Sequence, residues 1–137
     1  LWYNCKNMDD RKKILIVDDD KFLLGMYATK FARNGFEAKA VSNGSDALAV
    51  LREGFKPDIL LLDLIMPSMD GFTLYETIQK NNLAPGALSI MLTNQGLASD
   101  INKAKELGMH GYIVKATTIP SEVVDEVMNI YKKNKKN

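Results

Sequence analysis

The fold turns on Asp58-Ile59-Leu60-Leu61-Leu62-Asp63, four aliphatic residues held between two carboxylates. A run this short and continuously apolar reads as a strand buried on both faces, and such strands belong to parallel sheets covered by helices on either side. Upstream, Ile14-Leu15-Ile16-Val17 has the same character and again runs into acid, Asp18-Asp19-Asp20. Leu24, Tyr27, Ala28 and Phe31 follow at helical spacing, and Asn34-Gly35 suits a left-handed C-terminal cap. Phe36 to Val41 is a weaker strand, and Ala47, Leu48 and Leu51 mark a helix ended by Gly54. Beyond the central run, Leu74 and Ile78 mark a third helix, and Leu88 to Leu92 a fourth strand. Leu97, Ile101 and Ala104 mark a fourth helix stopped at Gly108. Tyr112-Ile113-Val114 forms a fifth strand, and Val123, Val124, Val127, Met128 and Tyr131 a fifth helix. Five strand-helix units of this kind specify an α/β domain with a doubly wound parallel sheet.

The chain has 137 residues, 46% of them apolar and 26% charged, which suits one compact domain. A chain of this length buries roughly two thirds of its unfolded surface, so its core needs no metal or disulfide staple. The 18 Lys plus Arg against 17 Asp plus Glu leave a net charge of +1, without the broad basic field that nucleic-acid binding uses. Cys5 stands alone and His110 is the single histidine, which excludes an internal disulfide and a Cys/His zinc cluster and fits a reducing compartment. The apolar runs are far shorter than the roughly 20 residues that span a bilayer. The first residues lack the basic start and apolar stretch of a secretory signal, so no membrane insertion and a cytoplasmic location are expected. The domain is expected over residues 12–133. Residues 1–11 read as an extension, flexible or left by expression, with Met8 a candidate start, and residues 134–137 as a basic tail.

In open α/β sheets the ligand site lies beyond the carboxyl ends of the strands. Here the first strand runs into Asp18-Asp19-Asp20, the third into Asp63, the fourth into Thr93 and the fifth into Lys115. Clustered carboxylates repel one another unless a cation compensates, and oxygen ligands without His or Cys favour a hard ion such as Mg2+. A carboxylate can also attack phosphorus to form an acyl phosphate when the charge on the transferring group is neutralised. Asp63 is the expected nucleophile, with the Lys115 ammonium and the Thr93 hydroxyl facing the phosphoryl oxygens. Each residue also has an ordinary role. Asp20 reads as a helix N-cap, Asp63 singly as a loop carboxylate, and Thr93 and Lys115 singly as capping or surface residues. The joint placement at separate strand ends is what points to chemistry.

Residues 14–20, Leu61-Leu62-Asp63-Leu64-Ile65-Met66-Pro67 with Met69-Asp70-Gly71, Leu92-Thr93 and Gly111-Tyr112-Ile113-Val114-Lys115 resemble the receiver domain of bacterial two-component response regulators. The resemblance covers nearly the whole domain. It implies the flavodoxin-like strand order 2-1-3-4-5 with five helices, and a phosphoacceptor signalling domain rather than an enzyme, one that assists its own phosphorylation and dephosphorylation. It further implies that Asp63 accepts a phosphoryl group from a sensor histidine kinase or a histidine phosphotransfer protein. Asp18, Asp19, Asp63 and the backbone carbonyl of Ile65 would hold Mg2+, and Thr93 and Lys115 would bind the phosphoryl oxygens. Thr93 and Tyr112 would switch the surface of the fourth helix, fifth strand and fifth helix for a downstream protein, in a monomer or a phosphorylation-dependent dimer; Tyr112 reads equally as a static aromatic.

Two positions depart from the pattern. Asn94 stands where the family commonly has a small residue, and its bulk narrows access to the site. Ala116 replaces the usual Pro after Lys115, so a trans peptide is expected, since a cis bond without Pro costs about 2.5–4 kcal/mol. Both leave open a phosphorylation-independent interaction module as the alternative. A flavodoxin would need a loop to cradle a flavin phosphate, which Asp18, Asp19 and Asp20 would repel. A phosphatase of the haloacid dehalogenase class needs Asp-x-Asp-x-Thr, which fails from Asp18, where Phe22 holds the last position, and from Asp63, where Ile65 holds the third. The residues outside 12–133 are too few for an output domain, so the chain reads as a single-domain regulator or as a piece of a larger one.

Overall fold

The computed structural model describes residues 11–135; the expected extension through residue 10, with Cys5 and Met8, and tail residues 136–137 lie outside it. Five strands, β1 (Lys13–Val17), β2 (Glu37–Val41), β3 (Ile59–Asp63), β4 (Leu88–Thr93) and β5 (Gly111–Val114), form one parallel sheet in the order β2-β1-β3-β4-β5. Helices α1 (Lys21–Arg33), α2 (Gly44–Arg52), α3 (Gly71–Lys80), α4 (Ala98–Glu106) and α5 (Pro120–Lys135) alternate with the strands, and a 3-10 turn, Lys115–Thr117, follows β5. This is the doubly wound, flavodoxin-like arrangement expected from the sequence. α5 continues through Lys132 and Lys133 to Lys135, so residues 134–135 of the expected basic tail are helical.

Strand residues alternate between two cores because successive side chains point to opposite faces. Ile14, Ile16, Ile59, Leu61, Ile90 and Leu92 pack with Leu24, Tyr27 and Phe31 of α1 and Val123, Val124 and Val127 of α5. Leu15, Val17, Leu60, Leu62 and Met91 pack with Leu48 and Leu51 of α2, Leu74 and Ile78 of α3 and Ala104 of α4. The expectation of strands apolar on both faces holds for β1, β3 and β4 but not for the edges. β2 has no buried residue and β5 has one, because a helix covers only part of an edge strand.

The caps match their residue types. Asp20 Oδ1 accepts from Leu23 N–H at 3.1 Å, and Asp70 Oδ1 accepts from Thr73 N–H at 2.8 Å. Gly35, at φ +87°, takes the left-handed turn that ends α1. The helix expected around Leu97, Ile101 and Ala104 buries only Ala104. Leu97 is the uncapped residue before α4 and is half exposed. Ile101, one turn later, is partly buried and lines a small cavity with Gly111 and Tyr112 of β5.

Candidate functional site

Parallel strands all end at one edge, and each residue singled out at a strand end arrives there. Asp18 directly follows β1 and is fully buried, held by the turn in which its Oδ1 accepts the Asp20 N–H at 2.9 Å. Asp63 is the last residue of β3, beside Leu92 of β4, and is 3% exposed. Asp19 is exposed beside them, and one carboxylate oxygen from each of Asp18, Asp19 and Asp63 lies within 4.8 Å of the others. Lys115, the first residue after β5, reaches back over the sheet edge. Its Nζ lies 2.7 Å from Asp18 Oδ2 and 3.2 Å from Asp63 Oδ1. No hydrogen bond of acceptable direction reaches Asp18 Oδ2, so this ammonium is the charge that compensates it.

The electrostatics follow from that crowding. Burial, and then the negative charge of Asp18, push the Asp63 carboxyl up to about 7, against the pull of Lys115. Burial alone would lower the Lys115 ammonium, but Asp18 and Asp63 together outweigh it and the net direction is upward. Burial pushes the Tyr27 phenol up to about 12, and its charged neighbours are Lys115, Asp18, Asp63 and Asp20. The sequence reads Tyr27 only as an α1 core position. Its place beneath the carboxylates depends on how α1 crosses β1, and helical spacing carries no such signal.

The loop from β3 to α3 closes one side. Ser68 adopts φ +71°, and Gly71 N–H donates to Leu64 O at 2.7 Å. A Cβ at Gly71 would collide with the Asp63 carbonyl oxygen and press on Met91 Sδ at 2.9 Å, so a side chain here would push α3 off the end of β3. Ile65, in the same loop, is 71% exposed. Thr93 ends β4 beside Val114 of β5 and is buried. Tyr112 of β5 is half-buried, and its hydroxyl donates to Gln95 O at 3.1 Å, which ties β5 to the loop before α4. Burial raises the Tyr112 phenol, and the neighbouring Thr93 side chain opposes that rise. Asn94 is exposed, and Ala116 follows Lys115 through a trans peptide.

The structure thus brings Asp18, Asp19, Asp63 and Lys115 into one cluster and sets Thr93 and Tyr112 on its β4–β5 side. Three carboxylates with no histidine or cysteine among them form a hard-oxygen donor set, and their mutual repulsion is relieved by a cation. Among the described residues this is the one cluster of its kind, and no helix is long and apolar enough to cross a membrane.

A sequence model of the response regulator receiver domain matches residues 14–127. The DNA-binding response regulator MtrA of Mycolicibacterium smegmatis is 32% identical over 124 residues, 90% of this chain and 52% of that protein. The chain spans about half the length of the curated relatives it matches. Among solved structures, the CheY-like receiver domain protein of Methanospirillum hungatei superposes with a TM-score of 0.81 at 27% identity, over 93% of this chain and 98% of that one. The receiver domain of the Francisella response regulator 1452 gives a TM-score of 0.76 at 26% identity, over 90% and 98%.

Proposed function

Because the chain belongs to the response regulator receiver domain family, we propose that it is a phosphoacceptor whose Asp63 takes a phosphoryl group from a phosphohistidine on a sensor kinase or phosphotransfer protein. The observation that carries this reading is the convergence of buried Asp18, Asp63 and Lys115, with exposed Asp19 beside them, from three strand ends on one charged cluster. A receiver unit over residues 12–133, acting in the cytoplasm without binding nucleic acid itself, is part of the proposal.

In the step itself, a carboxylate oxygen of Asp63 attacks phosphorus as the phosphorus–nitrogen bond breaks. The electron pair of that bond stays on the histidine ring, and an acyl phosphate forms. The transition state is loose, so the protein contributes position and countercharge more than covalent chemistry. Lys115 supplies a positive charge already in contact with Asp63, and the Thr93 hydroxyl, one strand away, donates to a phosphoryl oxygen. Asp18, Asp19, Asp63 and the Ile65 carbonyl are the groups that would hold Mg2+, which when bound neutralises charge on the transferring oxygens.

The output is a population shift between two packings of α4, β5 and α5. Its support is the Tyr112 hydroxyl on Gln95 O. A movement of Thr93 toward a phosphoryl group disturbs the loop that this bond holds. A downstream protein reads the resulting surface, and the chain is a monomer or pairs when phosphorylated.

The test is intact mass after incubation with Mg2+ and a small acyl-phosphate donor, beside Asp63→Asn. One phosphate added to the native chain and absent from the variant is the expected result. No adduct on the native chain, with no magnesium binding, would leave a phosphorylation-independent interaction module as the better account.

A further inference from the structure

The fold sorts charge by end, which a net charge of +1 conceals. In this parallel sheet every strand starts, and every helix finishes, at the edge opposite the carboxylate cluster. Asp18, Asp19, Asp20, Asp46, Asp70 and Asp100 stand at the cluster's edge, after strands, at helix caps or in first helical turns. At the opposite edge α1 ends on Arg33, α2 on Arg52 and α3 on Lys80, and the last turns of α5 carry Lys132 and Lys133. Cations in a last turn complement the helix dipole, but Lys13, which opens β1, and Lys56, in the loop before β3, lie outside any helix. Lys12 Nζ stands 5.7 Å from the Tyr131 ring, which sets the end of α5 beside the start of β1. The Asp58 N–H donates to Lys13 O at 2.8 Å and brings the Lys56 loop to the same place. The acids at this edge are fewer. Glu37 faces Arg11 at 3.7 Å, Asp58 Oδ2 accepts the Lys13 N–H at 2.9 Å, and Glu53 and Glu106 adjoin Arg52 and Lys105 in sequence.

We infer that this basic edge is a docking surface for an anionic phospholipid bilayer, on which the chain sits with its carboxylate cluster facing away. The occupant follows from what the edge offers. The exposed large apolar side chains, Phe22, Ile65, Leu97 and Ile119, all lie after strand ends, at the acidic edge. The basic edge therefore lacks the apolar anchors around which protein interfaces are built. Its cations come from separate helix ends and loops, not in a line along one helix, and so match a broad sheet of headgroups better than the track of a nucleic-acid backbone. Lys56, Lys132 and Lys133 are exposed, compact charges that need no fixed fork geometry in their partner. Each lysine close to an anionic leaflet strengthens binding about fivefold, and salt weakens it. The same leaflet repels the acidic edge, which fixes the orientation and leaves Asp63 open to a phosphodonor. Docking of this kind is adsorption without insertion, and it stands whether or not Asp63 is the phosphoacceptor.

The test is cosedimentation of the full chain with vesicles of phosphatidylcholine containing about one third phosphatidylglycerol, beside vesicles of phosphatidylcholine alone, at low and at physiological salt. Binding to the anionic vesicles only, weakened by salt, is the expected result. A triple variant, Lys56→Gln with Lys132→Gln and Lys133→Gln, should bind about tenfold more weakly or worse. Lys21→Gln, an exposed lysine at the acidic edge, should bind as the native chain does. If circular dichroism finds the triple variant unfolded, Lys132→Gln alone carries the test, with binding about fivefold weaker expected. No binding to anionic vesicles at low salt, equal binding to neutral ones, or a loss from Lys21→Gln as large as that from the basic edge overturns the inference. Binding of a duplex oligonucleotide through the same lysines, under conditions where the vesicles are not bound, would make nucleic acid the occupant and overturns it too. Salt-sensitive self-association in analytical ultracentrifugation, in place of vesicle binding, would make a second copy the occupant, with the same consequence.

Discussion

Asp63 titrates from an unusual starting point. Its carboxyl is raised from 3.8 to about 7, chiefly by burial and then by Asp18. Between those values the folded chain holds a proton that the unfolded chain has lost, so folding stability falls as pH rises through that window. Lys115, raised rather than lowered, stays charged throughout the window and leaves the slope unchanged. Urea unfolding in the presence of a chelator should therefore show the chain more stable near pH 5 than near pH 8, and Asp63→Asn should flatten that profile. Asp18, Asp63, Thr93 and Lys115 were legible as strand-end residues, because a short apolar run that stops on a polar group marks the edge where parallel strands open. The preference of Lys115 for Asp18 over Asp63 was not legible, nor was the approach of Tyr27 from below. Both depend on side-chain reach across elements far apart in the chain.

At the level of the element, two glycines near helix starts carry opposite consequences. Gly25 lies within α1 with no atom near its missing Cβ, whereas Gly71 begins α3 directly against the Asp63 carbonyl. Gly25→Ala should stabilise the chain by about 0.5–1 kcal/mol through helix propensity alone. Gly71→Ala should destabilise it by about 1–3 kcal/mol and slow phosphate incorporation, because α3 must retreat from the strand that ends in Asp63. Denaturant midpoints and initial rates of adduct formation check both. The apolar spacing of Leu97, Ile101 and Ala104 located α4 but overstated its anchorage, since one small side chain carries its burial. Periodicity reports which residues share a helix face. How deep that face sits depends on the sheet beneath it, and the sheet ends close to the start of α4.

Over the whole molecule, the alternation of β3 feeds both cores, so truncation on either face should cost much the same. Leu61→Ala and Leu62→Ala each remove a fully buried side chain and should each lower stability by about 2–5 kcal/mol in equilibrium unfolding. That is a large share of the roughly 5–15 kcal/mol that holds a domain of this kind folded. Composition and periodicity were enough for the layer architecture, and the strand order came with the family resemblance. The thin cover over β2 and β5 emerged only from the assembled sheet.

The position of Lys115 on the last strand also bears on how the chain reaches its native state. β1 and β3 are neighbours in the sheet, and pairing them brings Asp18 and Asp63 together before β5 need be in place. A partly formed sheet lacking β5 would hold those carboxylates with no ammonium between them, an internally frustrated arrangement that is raised in energy. Docking of the final strand removes that conflict, so the charge cluster works against premature closure of the central strands and couples their consolidation to the arrival of the chain's last quarter.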